Sequence, residues 1–262
     1  MKHPGLGPVT AIANQKGGVG KTTTTINLAA SLAALDKRVL IIDLDPQGNT
    51  TSGLGVNQKS VRRGTYDVLM GEGDLADVIM DTACERLFLL PASMDLVGAE
   101  IELVNELGRE LRLQQAFSSY SGVPYDYVFI DCPPALSLLT VNALSAADHV
   151  IVTLQTEFYA MEGLTQLMDS IRRIKQALNG QLTMEGILLT MVDTRNRLSN
   201  QVEADVRAYF GSQVYTNMIP RNVRLSEAPS FGVPVMYHDV RSKGAQAYIA
   251  AAQEYMQRLA IQ

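Results

Sequence analysis

The strongest constraint on this chain is a series of short apolar runs that lack polar alternation. Val9–Ala13, Val39–Ile42, Leu87–Leu90, Tyr127–Ile130, Val150–Leu154 and Ile187–Leu189 are rich in β-branched and other apolar residues. A strand with one wet face would alternate polar and apolar side chains. Runs without that alternation are read as parallel strands covered on both faces. Val214–Ile219 is expected to close the series. Helical stretches fall between the runs, at about 21–35, 95–118, 137–147, 160–178 and 199–210, and Gly244–Ala260 reads as a last helix packed back on the sheet. Repeated strand–helix order predicts an α/β fold, a doubly wound, mostly parallel sheet flanked by helices.

Composition narrows the setting. With 262 residues and 47% hydrophobic side chains, the chain buries a sizeable core, which excludes disorder as its main state. It shows no internal repeat, low-complexity tract or long linker, so one domain over 1–262 is expected, with 1–8 as a flexible N-terminus. Residues 47–73, rich in Gly, Thr, Asn and Ser, read as loop and short helix at the strand ends. Two cysteines, Cys84 and Cys132, support neither a disulfide framework nor a four-ligand zinc site. No apolar run approaches the roughly 18 residues of a membrane span, and the N-terminus lacks a signal-peptide core. A cytoplasmic protein is expected. The net charge of −5 excludes a uniformly basic coat but leaves room for a local basic face.

Directly after the first run comes Asn14-Gln15-Lys16-Gly17-Gly18-Val19-Gly20-Lys21-Thr22-Thr23. Gly20-Lys21-Thr22 fill the last three places of the phosphate-loop pattern G-x-x-x-x-G-K-[ST], while Gln15 stands where its first glycine belongs. Glycines let successive backbone N–H groups point at phosphate oxygens, and the following helix presents its positive end. Lys21 can reach the terminal phosphates, and the Thr22 hydroxyl can ligate Mg²⁺. Two acidic clusters sit at the ends of apolar runs. Asp43 and Asp45 follow the second, and Asp131 ends Tyr127-Val128-Phe129-Ile130. A carboxylate at a strand's C-terminal end faces the same crevice as the phosphate loop. Asp45 can orient the attacking water or a metal-bound water, Asp43 can belong to a metal shell, and Asp131 can hold Mg²⁺ through water.

Three motifs in order carry a resemblance. Lys16-Gly17-Gly18-Val19-Gly20-Lys21-Thr22-Thr23 resembles the deviant Walker A motif of the ParA/MinD superfamily of P-loop ATPases. Asp43-Leu44-Asp45-Pro46-Gln47-Gly48-Asn49 is similar to the switch segment of its ParA branch. Ile219-Pro220-Arg221-Asn222-Val223-Arg224-Leu225-Ser226-Glu227-Ala228-Pro229-Ser230 is similar to a stretch of ParA (Soj-like) partition ATPases. The likeness runs from Val9 to Gln262. It implies an ATP- and Mg²⁺-dependent ATPase of chromosome or plasmid partition. In such a family, ATP-bound monomers form a face-to-face homodimer, and Lys16 reaches the partner's phosphates. Asp45 serves hydrolysis and Asp131 is the Walker B carboxylate. Pro220 and Asn222 hold the adenine, with Arg221 nearby. The dimer binds DNA without sequence preference, on the nucleoid, until a ParB-type centromere-binding partner triggers hydrolysis. Because the first strand begins at Val9, the N-terminal helix-turn-helix of the longer plasmid type is not expected. Val233 stands where relatives often have lysine.

Other readings of the same loop are weighed on residues. A MinD-like ATPase that positions cargo at membranes ends in a basic amphipathic helix. Residues 245–262 offer only Arg258, opposed by Glu254. A nitrogenase-type reductase needs two cluster cysteines per subunit, and neither Cys84 nor Cys132 has the Gly-rich surroundings of such a ligand. They read as a loop thiol and a small buried residue. A binding module without turnover would need the same pocket as a slow ATPase. For DNA, residues 194–243 carry seven basic side chains against four acidic ones, and the rest of the chain 15 against 23. Five of the seven (Arg195, Arg197, Arg224, Arg241 and Lys243) are expected in loops. Arg195, Arg224, Arg241 and Lys243 are the expected phosphate contacts, without base readout.

Overall fold

A seven-stranded sheet organises the chain in the computed structural model, which describes residue 3 and residues 5–261. Its strands are β1 (Val9–Ala13), β2 (Val39–Asp43), β3 (Met80–Asp81), β4 (Leu87–Leu90), β5 (Tyr127–Asp131), β6 (His149–Gln155) and β7 (Thr183–Thr190). They lie in the order β3-β4-β2-β5-β1-β6-β7, all parallel except the β3–β4 pair. The first six expected apolar runs all lie within strands. Leu40 and Ile42 point into the layer that also holds Phe117 and Leu139, while Val39 and Ile41 point into the layer with Leu28 and Tyr255. Both alternating sets are buried, which is why the runs carry no polar period.

The helices are α1 (Lys21–Ala33), α2 (Asn49–Gly53), α3 (Thr65–Met70), α4 (Leu75–Val78), α5 (Leu96–Glu102), α6 (Arg112–Ser118), α7 (Leu138–Ala146), α8 (Ala160–Ala177), α9 (Arg197–Phe210), α10 (Val223–Glu227), α11 (Val235–Asp239) and α12 (Lys243–Ile261). α12 does pack back on the sheet, with Tyr255 bonded to Thr10 on β1 (2.7 Å) and Tyr248 to Thr24 on α1 (3.0 Å).

Two expectations are corrected. Val214–Ile219 touches β7 only at its ends, through Tyr215 N–H to the Ile187 carbonyl and Ile219 N–H to the Leu189 carbonyl. Between them, the Thr216 and Asn217 N–H groups donate to the Glu254 carboxylate (2.7 and 2.9 Å), so no ladder forms. The 95–118 stretch is not one helix. Glu106 is extended and Gly108 takes φ 68°, which separates α5 from α6. The two-residue edge strand β3 was not expected. At the N-terminus, residue 3 and residues 5–8 are described. His3 bonds the Ala146 carbonyl (3.1 Å) and Leu6 is buried, while residues 1, 2 and 4 lie outside the described residues.

A buried charge cluster pins the end of α12. Glu185 on β7 accepts the Tyr215 hydroxyl, and the Arg258 guanidinium lies 4.6 Å from the Tyr215 ring centre and 3.9 Å from Glu185. Burial pushes the Glu185 carboxyl up to about 7, despite the Tyr215 bond and the Arg258 charge. A carboxyl raised in the fold favours folding when protonated. Its contribution is full below about 4.5 and is lost as pH rises through about 7. Melting temperatures across pH 5 to 8 are therefore expected to fall more steeply for the parent than for Glu185→Gln. Parallel profiles would remove Glu185 as the cause.

Candidate nucleotide site

The turn between β1 and α1 places the Gly-rich segment in the crevice at the strands' C-terminal ends. Gly18 and Gly20 take φ 73° and 84°, a left-handed geometry that side-chain-bearing residues rarely adopt. No side chain caps α1, so its first N–H groups face the crevice as an anion cradle. Thr190 on β7 donates to the Val19 carbonyl (2.9 Å) and ties the loop to the sheet. Lys21 is only 6% exposed and donates to the Lys16 carbonyl (3.1 Å). Burial lowers its pKa, while the charges of Asp131 and Asp45 hold it up.

Strand register explains the carboxylates. Asp43 and Asp131 are direct partners across β2 and β5, so both side chains emerge on one face, fully buried. Asp131 Oδ2 accepts the hydroxyls of Thr22 (2.8 Å) and Thr50 (2.7 Å), and Oδ1 accepts that of Thr25 (3.3 Å). Asp43 Oδ2 accepts both the backbone N–H (2.8 Å) and the hydroxyl (2.6 Å) of Thr51, and its Oδ1 accepts the Asp45 N–H (3.3 Å). Burial pushes both carboxyls up, and for Asp43 the charge of Asp131 adds to it. Asp45 stands apart from this pair, with its Oδ1 accepting the Gln47 N–H (3.0 Å) and its pKa raised by burial.

A crevice of about 560 Å³ brings together Gly17, Gly18, Lys21, Thr22, Thr23 and Asp45. Pro134 and Val233 also line it. A second cavity of about 200 Å³ adjoins it, shares Gly20 and Thr23, and is lined by Thr190, Pro220, Arg221 and Asn222. The first suits a polyphosphate and the second a flat base beside it. Asn222 uses its Oδ1 to cap α10 (3.0 Å to Arg224 N–H), which leaves its amide nitrogen for a ligand.

Asp43 does not line the crevice. It lies behind the floor beside its strand partner Asp131, bonded to Thr51; Asp131, equally buried, does not line the crevice either. Lys16 also lies outside the crevice wall. Its backbone N–H donates to Asn14 Oδ1 (2.9 Å), and its ammonium is paired with Glu157, between β6 and α8. Thr50, Thr51 and Glu157 had not been singled out. The two threonines directly follow the Asp43–Asn49 segment, which was a usable signal, whereas no local pattern marks Glu157.

The basic region is more helical and more paired than expected. Arg197 opens α9, Arg224 lies in α10 and Lys243 opens α12; only Arg195 and Arg241 of the five are in loops. Arg195 forms a two-bond pair with Asp193 (2.9 and 3.0 Å), whose carboxyl it holds down at about 2. Arg224 pairs with Glu227 (2.7 Å) and Asp239 (3.4 Å). Arg195, Arg221 and Lys243 share a cleft of about 650 Å³.

Cys84 and Cys132 are both buried, and burial pushes both thiols up, as inert packing groups require. Among the described residues no three His, Cys, Asp or Glu side chains form a metal cage, and no helix is long and apolar enough to cross a membrane.

Comparison with known proteins places this geometry. A family model described as an AAA domain matches residues 7–184. The sporulation initiation inhibitor protein Soj of Bacillus subtilis is 51% identical over 249 residues, covering 95% of this chain and 98% of Soj. The chromosome partitioning protein ParA of Caulobacter vibrioides is 55% identical over 251 residues, covering 95% of this chain and 94% of that protein. Among solved structures, a Mycobacterium smegmatis protein described as cobyrinic acid a,c-diamide synthase, with bound ADP and magnesium, superposes with TM-score 0.84. It is 37% identical and covers 97% of this chain and 95% of its own.

Proposed function

This chain belongs to the Soj/ParA family of chromosome-partitioning ATPases, and from that premise we propose how its residues turn ATP binding into a DNA-bound state. Identity above one half to Soj and ParA, over nearly the whole chain, outweighs the 37% to the synthase in assigning chromosome segregation. The observation that supports the reading most is one crevice in which a buried lysine, a hydroxyl and an isolated carboxylate converge on a glycine cradle. That carboxylate is Asp45.

The residues fit Mg-ATP. Gly17, Gly18, Val19 and Gly20 supply backbone donors, Lys21 neutralises phosphate charge, and Thr23 leads toward the base between Pro220, Arg221 and Asn222. The donor set for the cation is hard oxygen, the Thr22 hydroxyl and the Asp131 carboxylate. Mg²⁺ characteristically takes few protein ligands and completes its shell with phosphate and water. When bound, it would neutralise charge on the terminal phosphates. Asp45 accepts a proton from, and orients, the attacking water; Asp43 and Thr51 hold the strand end from which it projects.

Lys16 gives this site its dependence on a second subunit. In the monomer it faces Glu157, with both side chains about half exposed, and such pairs are worth only about 0.2–1 kcal/mol, so release is easy. Phe158 and Tyr159, each 71% exposed, lie directly after Glu157 and supply apolar area for a symmetric contact. In the dimer Lys16 reaches the partner's phosphates. Light scattering with ATP should show the parent as a dimer and Lys16→Ala as a monomer that still binds nucleotide. A normal ATP dimer of Lys16→Ala would remove the lysine from the interface.

The dimer then holds DNA non-specifically at the nucleoid through Arg195, Arg224, Arg241 and Lys243. The pairing of Arg195 and Arg224 with carboxylates leaves a single subunit a weak binder, and two joined subunits bind through effective concentration. A ParB-type partner stimulates hydrolysis and release. A membrane role is not part of this reading, because α12 turns Ala245, Tyr248, Ala252 and Tyr255 inward onto the protein.

A further inference from the structure

The segment from Met94 to Leu107 is apolar on both sides. Leu96, Ala99 and Leu103 are fully buried, yet Val97, Ile101 and Val104 project outward at helical spacing, with Ile101 77% exposed, and Met94 and Leu107 are exposed in the turns on either side. A contiguous exposed apolar stripe of this kind marks an interaction surface. The same segment carries four carboxylates (Asp95, Glu100, Glu102 and Glu106); Glu106 is paired with Arg112 (2.7 Å) and Arg109 donates to the Val104 carbonyl, so the acidic edge lies at Asp95 and Glu102. Tyr66 of α3 donates to Glu102 (2.6 Å). That bond, with smaller contributions from the charges of Glu102, Glu72 and Asp95, pushes the Tyr66 phenol up to about 12.

We propose that this face docks a basic amphipathic helix from the protein that stimulates hydrolysis, its apolar side on Val97 and Ile101 and its cations on the acidic edge. The proposal rests on the partner reading above and says where that partner binds. An acidic rim repels DNA and anionic lipid, which excludes both as occupants. A second copy on a two-fold axis would bring the same carboxylates face to face.

The position of the stripe gives docking a route to the chemistry. Residues 91–93 lead from β4 into α5 and are bonded throughout to the loops beneath the crevice. Ala92 N–H donates to Thr51 Oγ1 (2.9 Å), which donates to Asp43 (2.6 Å). Thr65 Oγ1 bridges the carbonyls of Asp43 (2.8 Å) and Pro91 (3.1 Å). Gln58 contacts the carbonyls of both Pro46 (3.1 Å) and Ser93 (3.5 Å), one residue past Asp45 and one before Met94. Displacement of α5 is thus transmitted to the strand end that carries Asp45.

The test uses the full chain and a labelled synthetic helix of about five turns, Leu on one face and Arg on the other, with a Glu-for-Arg copy as control. Anisotropy should show salt-sensitive binding of the Arg peptide and none of the Glu peptide. Val97→Ser with Ile101→Ser, both exposed, should weaken it about tenfold or more, and Asp95→Asn with Glu102→Gln should flatten its salt dependence. Equal binding by parent and Ser variant, or no binding by the parent, overturns the proposal. ATP turnover with DNA and the ParB-type protein is the second arm. Loss of stimulation in the Ser variant, with unstimulated turnover intact, supports the assignment, and equal stimulation of both overturns it. If the ParB-type protein fails to stimulate even the parent, the partner reading fails; the peptide result then decides the surface alone.

Discussion

Lys21→Ala is expected to abolish nucleotide binding, with ATP affinity lowered on the order of 10²-fold or more in calorimetric titration. The side chain is nearly fully buried at the floor of the crevice, and its ammonium already donates to the Lys16 carbonyl in the loop that would curl round the phosphates. A charge-assisted contact made in a desolvated site is worth about 1.5–3 kcal/mol, and the unneutralised phosphate charge left beside Asp131 and Asp45 adds to the loss. A tenfold change corresponds to about 1.4 kcal/mol, which sets the size of the effect. Lys21→Arg should not restore binding, since a planar guanidinium does not replace a compact ammonium inside a glycine turn. Wild-type affinity in Lys21→Ala would mean that the crevice is not the phosphate site.

Asp45→Ala should have the opposite signature. Hydrolysis should fall about 10²- to 10⁴-fold, the range lost with a positioned general base, while ATP binding is kept or strengthened. Removing a buried carboxylate beside a triphosphate relieves repulsion, and Asp45 makes few bonds that the fold needs beyond the one with Gln47. Burial raises the Asp45 pKa. As a base it works deprotonated, so single-turnover hydrolysis should rise with pH through that raised value, and Asp45→Asn should lose both rate and pH dependence. Parental turnover in Asp45→Ala would move the role to another group.

Legibility in the sequence followed the range of the interactions. The six apolar runs became strands because burial on both faces leaves a signature in consecutive residues, and Gly20-Lys21-Thr22 was readable because the turn demands those residue types locally. Val214–Ile219 misled because its apolar residues do face the core, at Val214, Tyr215 and Ile219, while the N–H groups of Thr216 and Asn217 between them were claimed by Glu254 from α12. Asp43 and Asp45 looked equivalent in sequence. Only the register of β2 on β5 and the Thr51 bonds separate a buried support from a residue of the crevice wall. Glu157 pairs with Lys16 from 141 positions away, and Asp239 reaches Arg224 only through a folded loop. Such partners leave no periodic trace.

The central claim is that nucleotide state, acting through Lys16 and the crevice, controls DNA binding. Its most direct test is the affinity of the full chain for random-sequence DNA without nucleotide, with ADP, with ATP and with a non-hydrolysable ATP analogue, at one fixed salt concentration. Tight binding is predicted with ATP and the analogue, about 10²-fold weaker binding with ADP or none, and collapse of the difference in Lys16→Ala. Equal affinity in all four states would contradict the account.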